Sequence, residues 1–241
     1  MSTVYADTLE PTVPTKDTTL GATGDSITIG ANSINTNVIK DSGGNVLFQS
    51  DGSGTLSNVN SAFAADLKLL STQTASNSAS LSFTSGIDST YDVYIFKFID
   101  INPATDSAKF QFNGSDDASS HAYDIAKTTT YFDAQHKQDG NYGALNYKTS
   151  HDLAQSTGYQ SLGYELGNGG DECLAGELHL FNPASTTYVK HFYYVGNYYQ
   201  NTEYTLNPYV AGYFNTTSAI TALDFKMDSG NFDGVIKIYG L

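Results

Sequence analysis

Aromatic side chains are distributed very unevenly along this chain of 241 residues. Only Tyr5, Phe48 and Phe63 precede residue 81, and the other 28 of the 31 aromatic residues (18 Tyr and 13 Phe) follow it. Each buried ring removes about 150–250 Å² of surface from water, so the later part can close a core by itself. The earlier part is rich in Ser, Thr, Asp, Asn and Gly and lacks apolar side chains. The sequence therefore predicts an extended N-terminal arm over residues 1–59, a junction over 60–80 and a compact head over 81–241.

The charged residues argue against two classes of partner. Acids outnumber basic residues by 25 to 11, every basic residue is Lys, and the formal net charge is −14. A surface of this sign repels phosphate, and without Arg the bidentate contact to phosphate or guanine is unavailable. No run of apolar residues reaches the length of a membrane span, and residues 1–7 do not resemble a signal peptide. We therefore expect no nucleic-acid partner, no membrane insertion, and synthesis in a cytoplasm.

The arm has the composition of an extended segment. Pro11 and Pro14 lie among β-branched residues, which favour an extended path over a helix. Such a segment can lie along a neighbouring surface, and we expect it to anchor the protein there. The candidate anchoring side chains are Val4, Tyr5, Leu9, Pro11, Val13 and Pro14.

Short strands are predicted later in the arm. Residues 25–30, 38–39 and 46–48 carry one to three apolar side chains each, and Gly-rich turns separate them. Short hairpins are marginal in an isolated chain. Two alternatives remain open: the arm becomes ordered in an oligomer or on a partner surface, or it is a disordered tail.

Residues 60–70 have the spacing of a short helix. Phe63, Leu67 and Leu70 fall at i, i+4 and i+7, after a possible N-cap at Asn60 or Ser61. This apolar face would pack against its own domain or form a parallel bundle between chains, so the three residues are candidate oligomer contacts. The polar residues 71–79 read as a linker.

The head has strands at spacings typical of an antiparallel β-sandwich. Residues 91–100 are apolar on both faces, which predicts a central strand. Two Asn-Pro-Ala turns, at Asn102 and Asn182, predict hairpins. Residues 128–170 are poor in aliphatic side chains and read as a long insertion or loops. The predicted strands cover residues 81–83, 91–101, 109–112, 123–125, 176–181, 188–196, 209–214, 220–227 and 235–239.

Several tyrosines that lie close together in the sequence indicate a candidate contact surface. Tyr combines a flat apolar face with a polar tip, which suits sugar rings or a protein interface. The candidate outward contacts are Tyr193, Tyr198, Tyr199 and Tyr204. The alternative is ordinary packing, because alternation along strands would turn about half of these residues into the core.

No motif for catalysis, metal binding or cofactor binding stands out. The five His residues form no pair at metal-ligand spacing, and Cys173 is the only cysteine. Acids at Asp116, Asp117, Asp124, Asp171 and Glu172 could include a glycosidase pair or a calcium site, but solvated loop acids are the simpler interpretation. We therefore predict a protein that is not an enzyme and that needs neither a cofactor nor a metal.

Five segments together resemble virion structural proteins of tailed bacteriophages from marine and cyanobacterial settings, and the resemblance spans nearly the whole chain. Similar proteins are called tail fibres, appendages or virion proteins. The segments are residues 20–27 (LGATGDSI), 40–47 (KDSGGNVL), 50–54 (SDGSG), 81–91 (LSFTSGIDSTY) and 234–241 (GVIKIYGL).

The resemblance implies a homotrimer in the virion whose arm docks on capsid or tail proteins. It also implies a jelly-roll-like head that points outward, for capsid decoration or as a fibre, with host-surface glycan as a candidate partner. It implies no catalytic residue. The alternative is a tailspike-like glycan depolymerase, which would need a long β-helix or a clear pair of carboxylates in a groove.

Overall fold

The structure, a computed structural model of the chain, describes residues 38–41, 43–50, 53, 56–57, 59 and 67–241. The chain divides into two compact units, Met1–Ala64 and Ala65–Leu241. All regular structure in the described residues is β-strand, apart from one 3₁₀ turn at Thr149–His151. The predicted all-β class is therefore confirmed.

Three short antiparallel strands form the described part of the first unit. They are β1 (Val38–Lys40), β2 (Val46–Ser50) and β3 (Leu56–Ser57), in the order β1-β2-β3. The Asp41 carboxylate fixes the turn between β1 and β2, because it accepts hydrogen bonds from the backbone N–H groups of Gly43 and Asn45 at 2.8 and 2.9 Å. The predicted strands at 38–39 and 46–48 are thus present, whereas the one predicted at 25–30 lies outside the described residues.

The second unit contains twelve strands, and every pair is antiparallel. Eight of them follow the order β4-β15-β6-β11-β12-β13-β8-β9, and the other four follow β10-β7-β14-β5. The strands are β4 (Lys68–Ser78), β5 (Ser80–Phe83), β6 (Val93–Pro103), β7 (Ala108–Ser115), β8 (Lys127–Lys137), β9 (Gly143–Tyr147), β10 (Gln160–Leu166), β11 (Leu174–Phe181), β12 (Lys190–Gln200), β13 (Tyr204–Phe214), β14 (Ala222–Met227) and β15 (Phe232–Gly240).

The two groups of strands join into a sheet that is nearly closed into a barrel. On one side, β10 pairs with β12 at Leu166 and Gln200. On the other side, the Gln73 side chain of β4 donates a hydrogen bond to the Ser82 carbonyl of β5 at 2.9 Å. The two groups therefore face each other across a shared core.

Phenylalanine rings fill that core. Phe225 on β14 is fully buried, and its ring centroid lies 5.2–6.2 Å from five other Phe rings. Those five rings come from both groups of strands, so Phe225 links the two groups across the core. Its neighbours are Phe83, Phe96, Phe98, Phe110 and Phe112.

The predicted helix and linker are wrong where the structure describes them. Residues 68–78 form β4, which pairs with β15 from Lys68 to Ser78. The Leu70 side chain packs against the head's own core, so burial on the sheet outweighs the helical spacing. The head thus begins before residue 81. Residues 60–66 of the predicted helix, including Phe63, lie outside the described residues.

The predicted loop segment 128–170 is also wrong, because it contains β8, β9 and β10. These strands have few aliphatic residues, and several of their buried positions hold polar side chains that pair with one another. Thr129 donates a hydrogen bond to Gln160 at 2.6 Å, and Tyr164 donates one to the fully buried Asp133 at 2.8 Å. Buried polar side chains whose hydrogen bonds are satisfied can occupy core positions where apolar residues were expected.

The remaining strand predictions were mostly correct. Residues 91–101 correspond to β6, which is central between β15 and β11 as predicted. Residues 123–125 are not a strand. The turn at Asn182 joins the hairpin β11–β12, but the turn at Asn102 does not make a hairpin, because β7 pairs with β10 and β14. At that turn the chain passes from one group of strands to the other. The ring centroids of Phe98 on β6 and Phe110 on β7 lie 5.3 Å apart in the core between them.

Lys127, at the start of β8, is a fully buried lysine. Its ammonium donates hydrogen bonds to the carbonyls of Ile125 and Gly158 at 3.1 and 2.6 Å. Burial disfavours the charged form and lowers the Lys127 pKa from 10.5 to about 7, although Asp124 opposes the shift. The unfolded chain therefore binds this proton more tightly than the folded chain does.

We expect this lysine to make the head more stable as the pH rises from about 7 to about 9. In that range the unfolded state carries more protons at Lys127, so the free energy of unfolding rises, by about 2 kcal/mol. The Lys127→Met variant should lack this increment. Denaturant unfolding of both proteins across the range measures the difference, and parallel curves would contradict the assignment.

Candidate functional site

Side chains of β12 alternate between the core and an outer face of the sheet. Alternation along the strand places Phe192, Tyr194 and Tyr198 in the core, each at most 2% exposed, and leaves His191 and Tyr193 on the outer face. The neighbouring strands β11, β13 and β8 alternate in register with it. A continuous outer face therefore runs across these strands.

Four stacked rings cross this outer face, one from each strand. His179 of β11 lies 4.5 Å from Tyr193 of β12, Tyr193 lies 6.1 Å from Tyr209 of β13, and Tyr209 lies 5.1 Å from Phe132 of β8, measured between ring centroids. The planes of adjacent rings differ by 13°, 5° and 23°. We call these four residues the aromatic row. Stacked aromatic pairs stabilise a sheet and also form a rigid surface.

One end of the aromatic row is held by charged groups. The His179 ring lies 3.0 Å from the Glu177 carboxylate, which also faces Lys97 at 3.6 Å. The hydrogen bond with His179, together with the charges of His179 and Lys97, lowers the pKa of Glu177. This acid is therefore ionised and already paired at neutral pH.

A cleft of about 490 Å³ lies beside the aromatic row. Tyr193 and Tyr209 belong to its lining, and so do Tyr213, His191 and Ala211. The remaining outward-facing residues of the lining are Thr128, Thr130 and Phe181. We call this the aromatic cleft. Its volume is within the range of small-ligand pockets, about 300–1,000 Å³.

A second, smaller hollow lies further along the same strands. It measures about 240 Å³ and is lined mainly by polar side chains, among them Asn197, Asn207, Thr205 and His136. The Asn197 amide donates hydrogen bonds to the Thr205 hydroxyl and the Leu206 carbonyl, at 2.8 and 2.9 Å. We call this the amide hollow. The outer face thus carries an aromatic region and an amide region next to each other.

The four predicted contact tyrosines have different surroundings. Tyr193 belongs to the aromatic row, and Tyr199 also faces outward, where its hydroxyl donates to Gln138 at 2.9 Å. Tyr204 is partly buried and packs against the core. The prediction for Tyr198 is wrong, because its ring is 1% exposed and lies in the core. The role of the exposed residues stays a prediction.

The other predicted contacts fall mostly outside the described residues. This applies to the anchoring residues Val4, Tyr5, Leu9, Pro11, Val13 and Pro14, and to Phe63. Leu67 immediately precedes β4, and Leu70 lies within it. Neither residue is on a helix, so the proposed helical contact between chains does not apply to them.

Sequence reasoning noted the tyrosines of this face, Tyr209 and Tyr213 included, among the closely spaced tyrosines, but it missed half of the aromatic row. It did not single out Phe132, His179 or His191 as contact residues. The alternation of β12 could have separated Tyr193 from Tyr198. The row itself depends on cross-strand register among distant segments, which no local pattern specifies.

Several candidate acids serve as hydrogen-bond acceptors within loops. Asp117 accepts from the backbone N–H and the hydroxyl of Ser119, at 2.8 and 2.7 Å. Glu172 accepts from the backbone N–H of Gly169 at 2.7 Å. In the part of the chain that the structure describes, no group of three or more His, Cys, Asp or Glu residues could hold a metal ion.

Across residues 67–241 and the shorter described stretches before them, no helix has both the length and the apolar character for crossing a membrane. Comparison of the chain with protein-family models, curated proteins and solved structures finds no match.

Proposed function

We propose that this chain is a non-catalytic structural protein of a tailed-bacteriophage virion. It forms a trimeric appendage, a capsid decoration or a fibre, whose N-terminal arm attaches to capsid or tail proteins. The head, residues 65–241, points outward and contacts the host surface. The observation that carries this proposal is the strand order of the head, together with the five sequence segments that resemble such virion proteins.

The strand order supports a jelly-roll head with two inserted hairpins, β8–β9 and β12–β13. Without these hairpins, eight strands remain: β4, β5, β6, β7, β10, β11, β14 and β15. Numbered from one to eight in chain order, they follow 1-8-3-6 in one sheet and 2-7-4-5 in the other. This is the order of a jelly roll, an architecture common in viral capsid proteins and lectins.

The inserted hairpins support a contact role for the head. They lie next to each other because β13 pairs with β8, and they widen one sheet beyond β11. Three of the four residues of the aromatic row, and most of the aromatic cleft, lie on these hairpins. Functional sites are commonly built as additions to a conserved scaffold, so this outer face is the proposed contact surface.

The trimer is tested by the mass of the protein in solution. Light scattering of the full chain should give three times the mass of one chain, whereas residues 65–241 alone should be monomeric, because the arm supplies the contacts between chains. The shorter protein begins at Ala65 so that β4 stays paired with β15. A monomeric full chain would contradict the proposed trimer.

Capsid decoration and host adhesion make different predictions for the particle. A decorating protein binds only the assembled shell and stabilises it, so its removal should lower the temperature at which particles release DNA. An adhesin should leave this temperature unchanged and alter adsorption to cells. Release of reducing ends from host polysaccharide would instead identify a depolymerase.

A further inference from the structure

The aromatic cleft offers polar groups that nothing else in the described protein uses. The hydroxyls of Tyr193, Tyr209, Tyr213 and Thr130, and the ring nitrogens of His191, have no hydrogen-bond partner among the described residues. These groups surround the small side chain of Ala211, which lies between Tyr193 on β12 and Thr130 on β8. The cleft thus combines apolar ring surface with several free donors and acceptors.

The cleft carries no formal charge, although the protein as a whole is strongly acidic. No Asp, Glu, Lys or Arg is found among the described residues that line it, whereas the chain has a net charge of −14. Without a cation in the lining, a phosphate, sulfate or carboxylate on a ligand would lose its water without gaining a partner. Without an anion, a cationic ligand would have the same difficulty. The lining therefore complements an uncharged ligand.

The amide hollow continues the same chemistry along the strands. No Asp, Glu, Lys or Arg is found among the described residues that line it, and the amides of Asn197 and Asn207 are held in place by hydrogen bonds to the protein. Tyr209 and Asn207 occupy successive outward positions of β13, so cleft and hollow are neighbours. A ligand made of repeated units could contact both.

We propose that the aromatic cleft binds uncharged sugar rings of a cell-surface polysaccharide, and that the amide hollow binds the next unit of the same chain. This inference rests on the proposed function, since it names the ligand of the outward face. The apolar face of a pyranose ring packs against tyrosine rings, and its hydroxyl groups exchange hydrogen bonds with the Tyr, Thr, His and Asn side chains.

A sugar fits the observations better than a second copy of this chain does. The cleft is shallow and open, with a volume of about 490 Å³, and its free Tyr and Thr hydroxyl groups match the hydroxyl groups of a sugar ring.

The test measures oligosaccharide binding to the full chain. The probes are uncharged oligosaccharides of glucose, galactose, mannose and rhamnose, with oligogalacturonate and a sulfated oligosaccharide as charged comparisons. Calorimetry gives the affinity, and NMR of ring-labelled tyrosine reports whether Tyr193 and Tyr209 are contacted. At least one uncharged probe should bind at concentrations of about 1 mM or below, and the charged probes should not.

Two variants locate the binding site. Tyr209→Ala removes a wall of the cleft and should weaken binding about tenfold. Ala211→Leu fills the cleft without removing a ring and should weaken it to a similar extent. The control is Tyr188→Ala, which removes a Tyr that is 70% exposed and does not line the cleft. Circular dichroism confirms that each variant is folded.

Each other outcome overturns the inference. These outcomes are no binding of any uncharged probe, binding of charged probes alone, and binding that survives both cleft variants. A loss of self-association in Tyr209→Ala without any sugar binding would identify a contact between copies instead. The proposed function is tested separately by detecting the chain on phage particles: detection without sugar binding refutes this inference alone, and sugar binding without detection refutes the virion assignment.

Discussion

Replacing Phe225 with alanine is expected to remove a large part of the stability of the head. The ring is fully buried and contacts five other Phe rings from both groups of strands. Truncation of a buried Phe costs about 3–5 kcal/mol, because the apolar contacts are lost and a cavity remains. Domains are stabilised by only about 5–15 kcal/mol in total. Denaturant unfolding of the head should therefore show a strongly lowered midpoint.

The matched control for Phe225→Ala is Phe132→Ala. Phe132 has the same side chain, but it lies on the outer face and is 39% exposed. Its removal should cost less than about 1.5 kcal/mol, mainly from the lost stacking with Tyr209. Equal destabilisation by the two substitutions would contradict the assignment of Phe225 to the centre of the core.

Alkaline pH is expected to unfold the head cooperatively. Five tyrosines are at most 7% exposed: Tyr94, Tyr131, Tyr164, Tyr194 and Tyr198. Burial raises the pKa of each above 10, so these residues stay protonated in the folded head while the unfolded chain ionises.

The sign and size of this effect follow from proton linkage. The stability that depends on these tyrosines is fully present below about pH 10 and is lost as the pH rises further. The pKa is raised strongly for four of them, Tyr131, Tyr164, Tyr194 and Tyr198, so at about pH 11 each contributes a loss of about 1.4 kcal/mol and the four together contribute about 6 kcal/mol. This is comparable with the total stability of a domain.

Absorbance of tyrosinate measures this transition without interference, because the chain has no Trp. The exposed tyrosines should ionise first, and the buried ones should ionise together with the loss of circular dichroism. Tyr194→Phe provides the test at one site. The Tyr194 hydroxyl is buried without a hydrogen-bond partner, so the variant should be at least as stable at pH 7 and should lose stability less steeply above pH 10. Gradual ionisation of all tyrosines before unfolding would contradict the account.

The sequence identified the class of the fold because period-two patterns dominate the head. Segments with bulky apolar residues, such as β6 and β12, were predicted as strands, and β6 was correctly placed inside a sheet. The prediction of a helix and a linker over residues 68–78 was wrong because Leu67 and Leu70 have helical spacing. The strand that forms there is held by pairing with β15, which lies far away in the sequence. Local patterns do not contain that pairing.

The hairpin β8–β9 was missed for a different reason. Its buried side chains include Thr129 and Asp133, which are polar but satisfied by Gln160 and Tyr164. A strand with a polar inner face looks like a loop when apolar residues are counted. The same hairpin carries Phe132, so the aromatic row could not be predicted before this segment was placed in the sheet.

The central claim is that the chain is an outward-facing part of a phage particle, and labelling of intact particles tests it most directly. An antibody raised against residues 65–241 is applied to particles purified from an infected culture that carries the gene, and bound antibody is located by electron microscopy with gold. We predict label at discrete positions on the capsid or the tail, and peptides of the chain in the particle protein. Particles that bind no antibody and contain no such peptides would contradict the claim.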